Sequence, residues 1–440
     1  MVVAWWTGVR ENVKDGANPQ PIPYTSSRSG VHTQSEVFMR RTCRWALALL
    51  VCAPRLAAQA PTVALSGELR LRGEWDGRTA QAGDDAATLS RTRLGVTAQV
   101  RPWLSAFVQF QDSRAWGTET NTTTDATADQ LDLHQGLVSL SALGVTARLG
   151  RQELSLGDER LVGPLLWSNT ARSFDGAVFT RPFGDRGELR LFWLNVAERD
   201  ALLPGGVDPQ ANEAADQDGW FMGGFYARRL GAAQIEFMFL HDRNAATDKS
   251  FTANGRVFGR VGDILYDGSG AYQFGADRRA FLLSGKIGLA MGTGSIAAQL
   301  DFLSGDADTL DGTRRAFATL YPTAHAFHGY MDYFVAFPGQ TRQSGLIDAM
   351  ARLVLPVPQP WTLRSDVHYF AVPQERNGER ALGVEADMVL GRTLVPGTSA
   401  EVGAALFAPQ DLIGIMLPAF ALGTDDPTYW AYVMLTVRFP

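Results

Sequence analysis

Hydrophobic and charged positions alternate along residues 63–75. Leu65, Leu69 and Trp75 share one apolar face, while Arg70 and Arg72 share a charged face. Because side chains alternate across a β-strand with a period of two, this segment predicts a strand with one apolar and one charged side. The same pattern recurs along the chain, with charge kept to one side. That is typical of a membrane barrel whose outer face meets lipid and whose inner face meets water.

About 18 segments show this period, or about 16 if the two weakest, 252–261 and 264–274, are left out. The segments are residues 63–75, 88–100, 104–113, 131–141, 145–155, 174–181, 188–197, 220–230, 234–243, 252–261, 264–274, 280–290, 295–305, 345–355, 362–372, 381–394, 399–407 and 429–439. Closing the sheet leaves no edge unpaired in hydrocarbon. We therefore predict an all-β fold, a transmembrane antiparallel β-barrel of about 18 strands, with 16 as the alternative. Side chains cannot fill a barrel of this width, so we expect a water-filled lumen.

The connections between these segments alternate in length. Short connections include residues 101–103, 142–143, 231–232 and 395–397, and the longest cover 198–219, 306–344 and 408–428. Outer-membrane barrels have short periplasmic turns and longer extracellular loops, so this rhythm supports the same fold. One connection, 275–278, is short where a long loop is expected.

The N-terminal 60 residues differ from the rest. A basic region at 39–44 precedes an apolar run at 45–53, and alanines close the segment, which predicts a signal peptide over 39–60. Cleavage is expected after Ala58 or Ala60, and a short buried helix is the alternative. Residues 1–38 are polar without a clear period, and we expect an unstructured or mis-assigned extension. The barrel domain is then residues 61–440.

Composition excludes several classes of protein. Cys43 and Cys52 are the only cysteines and both lie in the signal region, so the mature chain has no disulfide framework. The net charge of −6 argues against a nucleic-acid binder. The sequence contains no run of about 18 apolar residues, so it predicts no transmembrane helix. An exported, cysteine-free, β-rich chain fits the outer membrane of a Gram-negative cell.

Strand parity places a set of arginines inside the barrel. Guanidinium groups facing water attract anions and bind carboxylates in a bidentate way, and rings of arginine select anions in some pores. Interior acids such as Glu68, Asp366 and Asp387 offer the other interpretation, in which arginines pair with carboxylates to brace the wall. The predicted pore-lining residues are Arg70, Arg72, Arg91, Arg93, Arg148, Arg190, Arg352 and Arg364.

Catalytic motifs are lacking. The sequence contains no GxSxG, no P-loop and no GxGxxG followed by a helix, so we expect no enzyme and no cofactor. His325 and His328 lie in the long 306–344 connection, where a loop metal site and simple packing are the two interpretations. No metal site is predicted.

One segment carries a family resemblance. Residues 148–183 read RLGRQELSLGDERLVGPLLWSNTARSFDGAVFTRPF. This segment resembles the hallmark of the alginate-export family of outer-membrane barrels, and weaker matches extend the resemblance over most of residues 62–440. The resemblance implies a monomeric 18-stranded barrel that passes alginate, an anionic uronic-acid polymer, outward through an arginine-rich pore. The motif positions, expected to line the extracellular mouth or brace its loop, are Arg151, Asp158, Arg160, Trp167, Asn169, Arg172 and Asp175.

Two transport hypotheses and one enzymatic hypothesis follow. The first is passive export of an anionic, alginate-like polysaccharide; the alternative is a general or sugar- or anion-selective porin for uptake. A barrel-wall hydrolase is the third, and no motif supports it. Expected partners are outer-membrane lipid and lipopolysaccharide, an anionic polysaccharide or small anionic solutes, and periplasmic export-complex proteins, with no nucleic acid.

Overall fold

The strands close into one antiparallel sheet of 18, in which each strand pairs with its neighbours in sequence and β1 also pairs with β18. The computed structural model describes residues 60–78, 85–116, 131–197, 219–243, 250–275, 277–418 and 426–440. The prediction of an 18-stranded barrel is confirmed, including its two weakest segments, which form β10 and β11. The predicted N-terminal extension and signal peptide lie outside the described residues, apart from Ala60.

The strands are β1 (Thr62–Gly77), β2 (Asp85–Arg101), β3 (Leu104–Trp116), β4 (Asp132–Ala142), β5 (Val145–Gln152), β6 (Phe174–Pro182), β7 (Gly187–Ala197), β8 (Gly219–Leu230), β9 (Ala233–Arg243), β10 (Ser250–Val261), β11 (Ile264–Gly275), β12 (Arg279–Met291), β13 (Gly294–Leu303), β14 (Leu346–Leu355), β15 (Trp361–Arg376), β16 (Glu379–Val395), β17 (Thr398–Pro409) and β18 (Thr428–Phe439). One helical turn, α1 (Ile413–Met416), and a 3₁₀ turn at Ala324–Ala326 accompany them. Within the described part of the chain, no helix is long and apolar enough to cross a membrane.

Tight turns lie at the end of the barrel that carries both termini. The β4–β5 turn places Leu143 and Gly144 at φ 54° and 75°, the left-handed conformation that two-residue hairpin turns require. The opposite end carries the longer connections. One of these is shorter than expected, because β15 and β16 continue past the predicted ends and meet in a tight turn at Asn377 and Gly378.

The two faces of the sheet carry the predicted chemistry. On β1, Leu69 and Trp75 are exposed on the outer face, while Arg70 and Arg72 are buried on the inner face. Exposed aromatic residues lie near both ends of the strands, as in the aromatic girdles of membrane barrels. Those near the turns are Trp103, Phe183, Trp361 and Phe439, and those toward the long loops include Trp75, Trp116 and Trp193.

Two long connections fold into the barrel. We call them the β5–β6 loop (residues 153–173) and the β13–β14 loop (residues 304–345). The first buries Leu156 and Val162, and the second buries Phe317, Tyr333 and Phe334. Strand periodicity does not predict these inward loops. The two loops narrow the wide bore of the barrel to a constriction.

Candidate functional site

Arginines of the barrel wall hold the β5–β6 loop by its backbone. Arg70 and Arg91 each donate a hydrogen bond to the carbonyl oxygen of Leu166, at 2.8 and 2.9 Å. Arg72 donates to the carbonyl oxygen of Trp167 at 2.9 Å. The four arginines that parity placed inside on β1 and β2 therefore do point inward, and three of them use neutral backbone acceptors at the constriction.

Carboxylates neutralise three of these four arginines. Arg91 pairs with Glu68 at 2.7 Å, Arg72 with Glu74 at 2.6 Å and Arg93 with Glu153 at 3.1 Å. Arg70 forms no ion pair with any described residue, and its remaining hydrogen bonds go to Ser168 and Asn169 of the loop. Of these four arginines, Arg70 is therefore the one whose described partners are all uncharged.

Glu153 is the first residue of the β5–β6 loop, and its side chain attaches the loop to the wall. Burial alone would raise the pKa of its carboxyl, but the 2.8 Å contact with His134 and the charge of Arg93 outweigh burial and hold that pKa below its ordinary value. The carboxylate is therefore ionised at neutral pH, and its bonds to the wall are charge-assisted.

The β13–β14 loop is anchored by an apolar cluster and by one carboxylate. Phe334 packs on Phe370 of β15 with ring centroids 4.6 Å apart, and Tyr333 packs on Phe407 of β17 at 4.9 Å. The backbone N–H of Met331 donates to Glu385 of β16 at 2.8 Å. Burial raises the pKa of the Tyr333 phenol, so it stays a hydrogen-bond donor, and it lies 2.9 Å from the Thr428 hydroxyl.

The two loops meet in the lumen. The backbone N–H of Gly163 donates to Tyr321 at 2.8 Å, and the N–H of Tyr321 donates back to Leu161 at 2.9 Å. The Thr323 hydroxyl also donates to Glu159 at 2.6 Å. These bonds join the loops into one constriction.

An aromatic stack crosses this constriction. Trp167 lies on His325 with ring centroids 4.0 Å apart, and His325 lies on Tyr330 at 4.7 Å. The guanidinium carbon of Arg72 is 4.2 Å from the Trp167 ring, and that of Arg364 is 5.1 Å from the Tyr330 ring. The stack therefore runs from the β1 wall to the β15 wall through both loops. Cation–π attraction to Arg72 and Arg364 stabilises the two ends of the stack.

Cavities lie on either side of the constriction. One of about 460 Å³ includes Arg78, directly after the loop end of β1, together with Arg72, Trp167 and Arg172. Burial lowers the pKa of the Arg172 guanidinium. A second cavity of about 400 Å³ is lined by Arg148 and Arg190, which lie toward the short turns. Solute space therefore exists above and below the junction of the loops.

The remaining predicted pore arginines also face the lumen. Arg190 pairs with Glu188 at 2.5 Å, and Arg352 holds both oxygens of Asp366, at 2.7 and 2.8 Å. Arg364 approaches the same carboxylate at 3.5 Å. Arg148 has no ion-pair partner among the described residues. Arg190, Arg352 and Arg364 are therefore held near carboxylates of the wall, whereas Arg148 is not.

The motif residues divide into an inner and an outer group. Trp167, Asn169 and Arg172 belong to the constriction, and Asn169 donates to the carbonyl oxygens of Ser90 and Arg114 in the wall. Arg160 is buried and donates to Asp301 at 2.6 Å. Asp158 is 3.8 Å from Arg160 and 3.7 Å from Arg256. These five residues brace or line the inward loop.

Arg151 and Asp175 are placed differently from our expectation. They form a bidentate pair at 2.8 Å on the outer face, with their side chains 40% and 51% exposed. The reason is strand parity, because Gln152 is fully buried on the inner face and its neighbour Arg151 therefore points outward. Asp175 is the register partner of Arg151 on β6. This pair does not line the pore mouth.

The stacking partners of Trp167 were not predicted from the sequence. His325 was placed only in the long 306–344 connection, and Trp430 of β18, 6.0 Å from the Trp167 ring, was given no role. The aromatic density of residues 320–334 was the available signal. It indicates a segment that buries its side chains rather than a solvated extracellular loop.

Several solved structures of other proteins have the same barrel fold. OccAB1 of Acinetobacter baumannii superposes with a TM-score of 0.61 at 12% identity, covering 87% of this chain and 98% of that one. OccK8 (OprE) of Pseudomonas aeruginosa gives 0.59 at 12% identity, covering 86% and 98%. The outer membrane protein OpdK of Pseudomonas aeruginosa gives 0.55 at 11% identity, covering 86% and 98%. At such identities the likeness concerns the fold.

No curated protein matches the sequence. The family model described as alginate export matches residues 63–336, which is well over half of the chain. Together with the closed 18-stranded sheet, this match makes the protein a channel of the Gram-negative outer membrane. The chain belongs to the alginate-export family.

Proposed function

We propose that this channel passively exports an anionic, alginate-like polysaccharide past the arginines of its lumen. The observation that carries the proposal is the bonding of Arg70, Arg72 and Arg91 to backbone carbonyl oxygens of the β5–β6 loop. A carboxylate carries the charge opposite to a guanidinium group and can accept two parallel hydrogen bonds from it, whereas a backbone carbonyl is neutral and offers one oxygen. A uronate carboxylate therefore replaces a loop carbonyl favourably when the loop moves aside.

Weak, repeated contacts suit transport of a polymer. A chain that binds too tightly at one site stalls, so conduction needs several exchangeable sites. Arg148 and Arg190 in the lower cavity, Arg70 at the constriction and Arg172 above it offer such a succession. Synthesis of the polymer and periplasmic partner proteins would supply the drive, and outer-membrane lipid and lipopolysaccharide would surround the wall.

Ion selectivity in planar bilayers tests the proposal. The full channel should prefer anions in a salt gradient, and oligouronates added to the periplasmic side should block its current more than neutral glucose oligomers of equal length. Replacing Arg70, Arg72, Arg91 and Arg93 by Gln should remove both effects. Arg260→Gln, at an exposed turn where Arg260 pairs with Asp263, is the control and should retain them. Cation preference in the unaltered channel refutes the proposal.

The size of the cavities favours a second candidate, uptake of small anionic solutes. Volumes of about 460 and 400 Å³ fall within the range of pockets for small molecules, about 300–1,000 Å³. Liposome-swelling rates distinguish the two functions. Fast entry of monomeric uronates without blockade by long oligouronates supports uptake, whereas blockade that strengthens with oligomer length supports export.

A further inference from the structure

The inner wall from β13 to β16 carries a buried group of acids with two histidines. Each of these side chains is less than one tenth exposed. Two sets of three bring their nitrogen or oxygen atoms within 4.8 Å of one another: Asp301, His328 and Asp348, and Asp366, His368 and Asp387. A buried carboxylate needs a hydrogen-bond donor, a cation or a proton. The two sets differ in how far this need is met.

The first set is satisfied by protein donors. Asp301 accepts hydrogen bonds from Arg160 at 2.6 Å, Ser284 at 2.6 Å and Gln299 at 3.1 Å. Asp348 accepts from His328 at 3.1 Å and from His368 at 2.8 Å. No bound ion is required there.

The second set is not satisfied. Neither carboxylate oxygen of Asp387 has a hydrogen-bond partner among the described residues, and neither does Oε2 of Glu385. Asp387 is 3% exposed and Glu385 is fully buried. Both lie on the inner face of β16, where Glu385 is the register partner of His368 and Asp387 that of Asp366. Three buried carboxylate oxygens on the inner face of β16 therefore have no hydrogen-bond donor among the described residues.

His368 is oriented as a metal ligand. Because an ionised carboxylate only accepts, its Nδ1–H donates to Asp348, and a neutral imidazole then carries its lone pair on Nε2. Nε2 lies 3.7 Å from Oδ2 of Asp387. A metal-bound histidine usually donates its other ring N–H to a carboxylate, and Asp348 fills that role here.

We propose that His368, Asp387 and Asp366 bind a divalent transition-metal ion of the zinc class, with Asp348 as the positioning residue. Two ligands at the usual zinc distances in a tetrahedral site are about 3.3 Å apart, close to the separation of Nε2 and Oδ2. A mixed imidazole and carboxylate set suits zinc better than magnesium or calcium. Asp366 completes the set, and Arg352 orients its carboxylate by donating to both oxygens.

The site also bears on the constriction. Glu385 uses its other oxygen to hold the Met331 N–H of the β13–β14 loop. An ion held by His368 of β15 and Asp387 of β16 would join the two strands next to Glu385, the residue that holds the loop. Metal binding should therefore raise the thermal stability of the barrel as well as occupy the site.

Zinc titration of the full channel tests the proposal. The chain is purified from outer membranes in detergent without a polyhistidine tag, stripped with a chelator and titrated with zinc chloride by calorimetry. One zinc per chain is expected, with a raised melting temperature. His368→Gln and Asp387→Asn should abolish binding, and Asp348→Asn should weaken it about 10- to 100-fold. Asp242→Asn is the matched control, because Asp242 is also buried in the lumen but is bonded to Tyr321.

Two outcomes overturn the proposal. One is absence of zinc binding in the unaltered chain, which would mean that a proton shared by Glu385 and Asp387 satisfies the orphan oxygens. The other is binding that persists in folded His368→Gln protein. Folding of each variant is checked by the shift of its band on gels after heating. If a variant does not fold, X-ray absorption spectroscopy of the unaltered, zinc-loaded chain identifies the ligands instead. One imidazole with oxygen ligands supports the site, and several imidazoles or no imidazole refutes it.

Discussion

Trp167 of the β5–β6 loop and His325 of the β13–β14 loop stack face to face, with ring centroids 4.0 Å apart and planes inclined by 3°. Their stacking joins the two inward loops, together with the hydrogen bond from Thr323 to Glu159. Aromatic pairs contribute about 0.5–1.5 kcal/mol beyond the burial of their surface. The stack is thus strong enough to favour a narrow pore and weak enough for solute to open it.

Replacing Trp167 by Ala should widen the pore. The variant removes the ring on which His325 packs and to which Arg72 is drawn. Because 1.4 kcal/mol corresponds to a tenfold change in an equilibrium, we expect about a tenfold increase in open events. Single-channel recording in planar bilayers measures this. Trp193→Ala, on the outer face, is the control, and equal conductance in both variants would contradict the role of the stack.

Arg91 should matter more for stability than an arginine of the rim. Arg91 is buried with Glu68, whereas Arg260 and its partner Asp263 have side chains 54% and 68% exposed. Arg91→Gln leaves Glu68 with Arg438 alone, and we expect the free energy of unfolding to fall by about 2–3 kcal/mol.

Arg260→Gln serves as the comparison, with an expected loss of less than about 1 kcal/mol. Urea unfolding in lipid vesicles, followed by tryptophan fluorescence, measures both variants. Similar losses would show that the interior pair does not brace the wall.

The barrel itself was predictable because the lipid and the water impose a local pattern. Each strand must turn its apolar residues toward the lipid. The sequence alone therefore places Leu69 on the outer face and Arg70 on the inner face. The same parity rule also places Arg151 outside, since it is three residues from the interior Arg148 on the same strand. The family resemblance instead implied the pore mouth for Arg151 and Asp175, and the structure pairs them on the outer face.

The constriction was not predictable in the same way. Its bonds join residues far apart in sequence, such as Arg70 to Leu166 and Gly163 to Tyr321. A carbonyl acceptor leaves no mark in the sequence, because every residue has one. The length of the 306–344 connection and its aromatic residues are compatible with a packed loop, but they do not identify the strands to which it attaches.

Acid should loosen the β5–β6 loop through Glu153. The folded-state pKa of this carboxyl lies below its ordinary value of 4.5. Because the pKa is lower in the folded state, the carboxylate stabilises the attached loop at pH values above its ordinary pKa. This stabilisation is lost as the pH falls through the folded-state pKa. We therefore expect more frequent opening below about pH 4 than at pH 7.

Glu153→Gln should open equally often at both pH values, because it removes the charge that Arg93 and His134 hold. Single-channel recording across this range provides the measurement. An unchanged response to acid in the variant would assign the effect to another group.

Gly329 should tolerate no side chain, for a reason separate from its backbone angle. Gly329 and Gly312 both lie in the β13–β14 loop with left-handed φ values of 81° and 77°. A Cβ on Gly329 would lie 2.5 Å from the carboxylate of Glu385, whereas one on Gly312 meets nothing within 4 Å. Glu385 cannot retreat easily, because it is fully buried and holds the Met331 N–H.

Alanine at either position should cost about 1–2 kcal/mol in backbone strain. Gly329→Ala should cost about 1–3 kcal/mol more, from overpacking against Glu385. It should also raise channel conductance by lifting the loop from β16, which Gly312→Ala should not do. Unfolding in urea and bilayer recording of the two variants provide the measurement. Equal stability and equal conductance would mean that the loop is not seated on Glu385, because backbone strain is common to both.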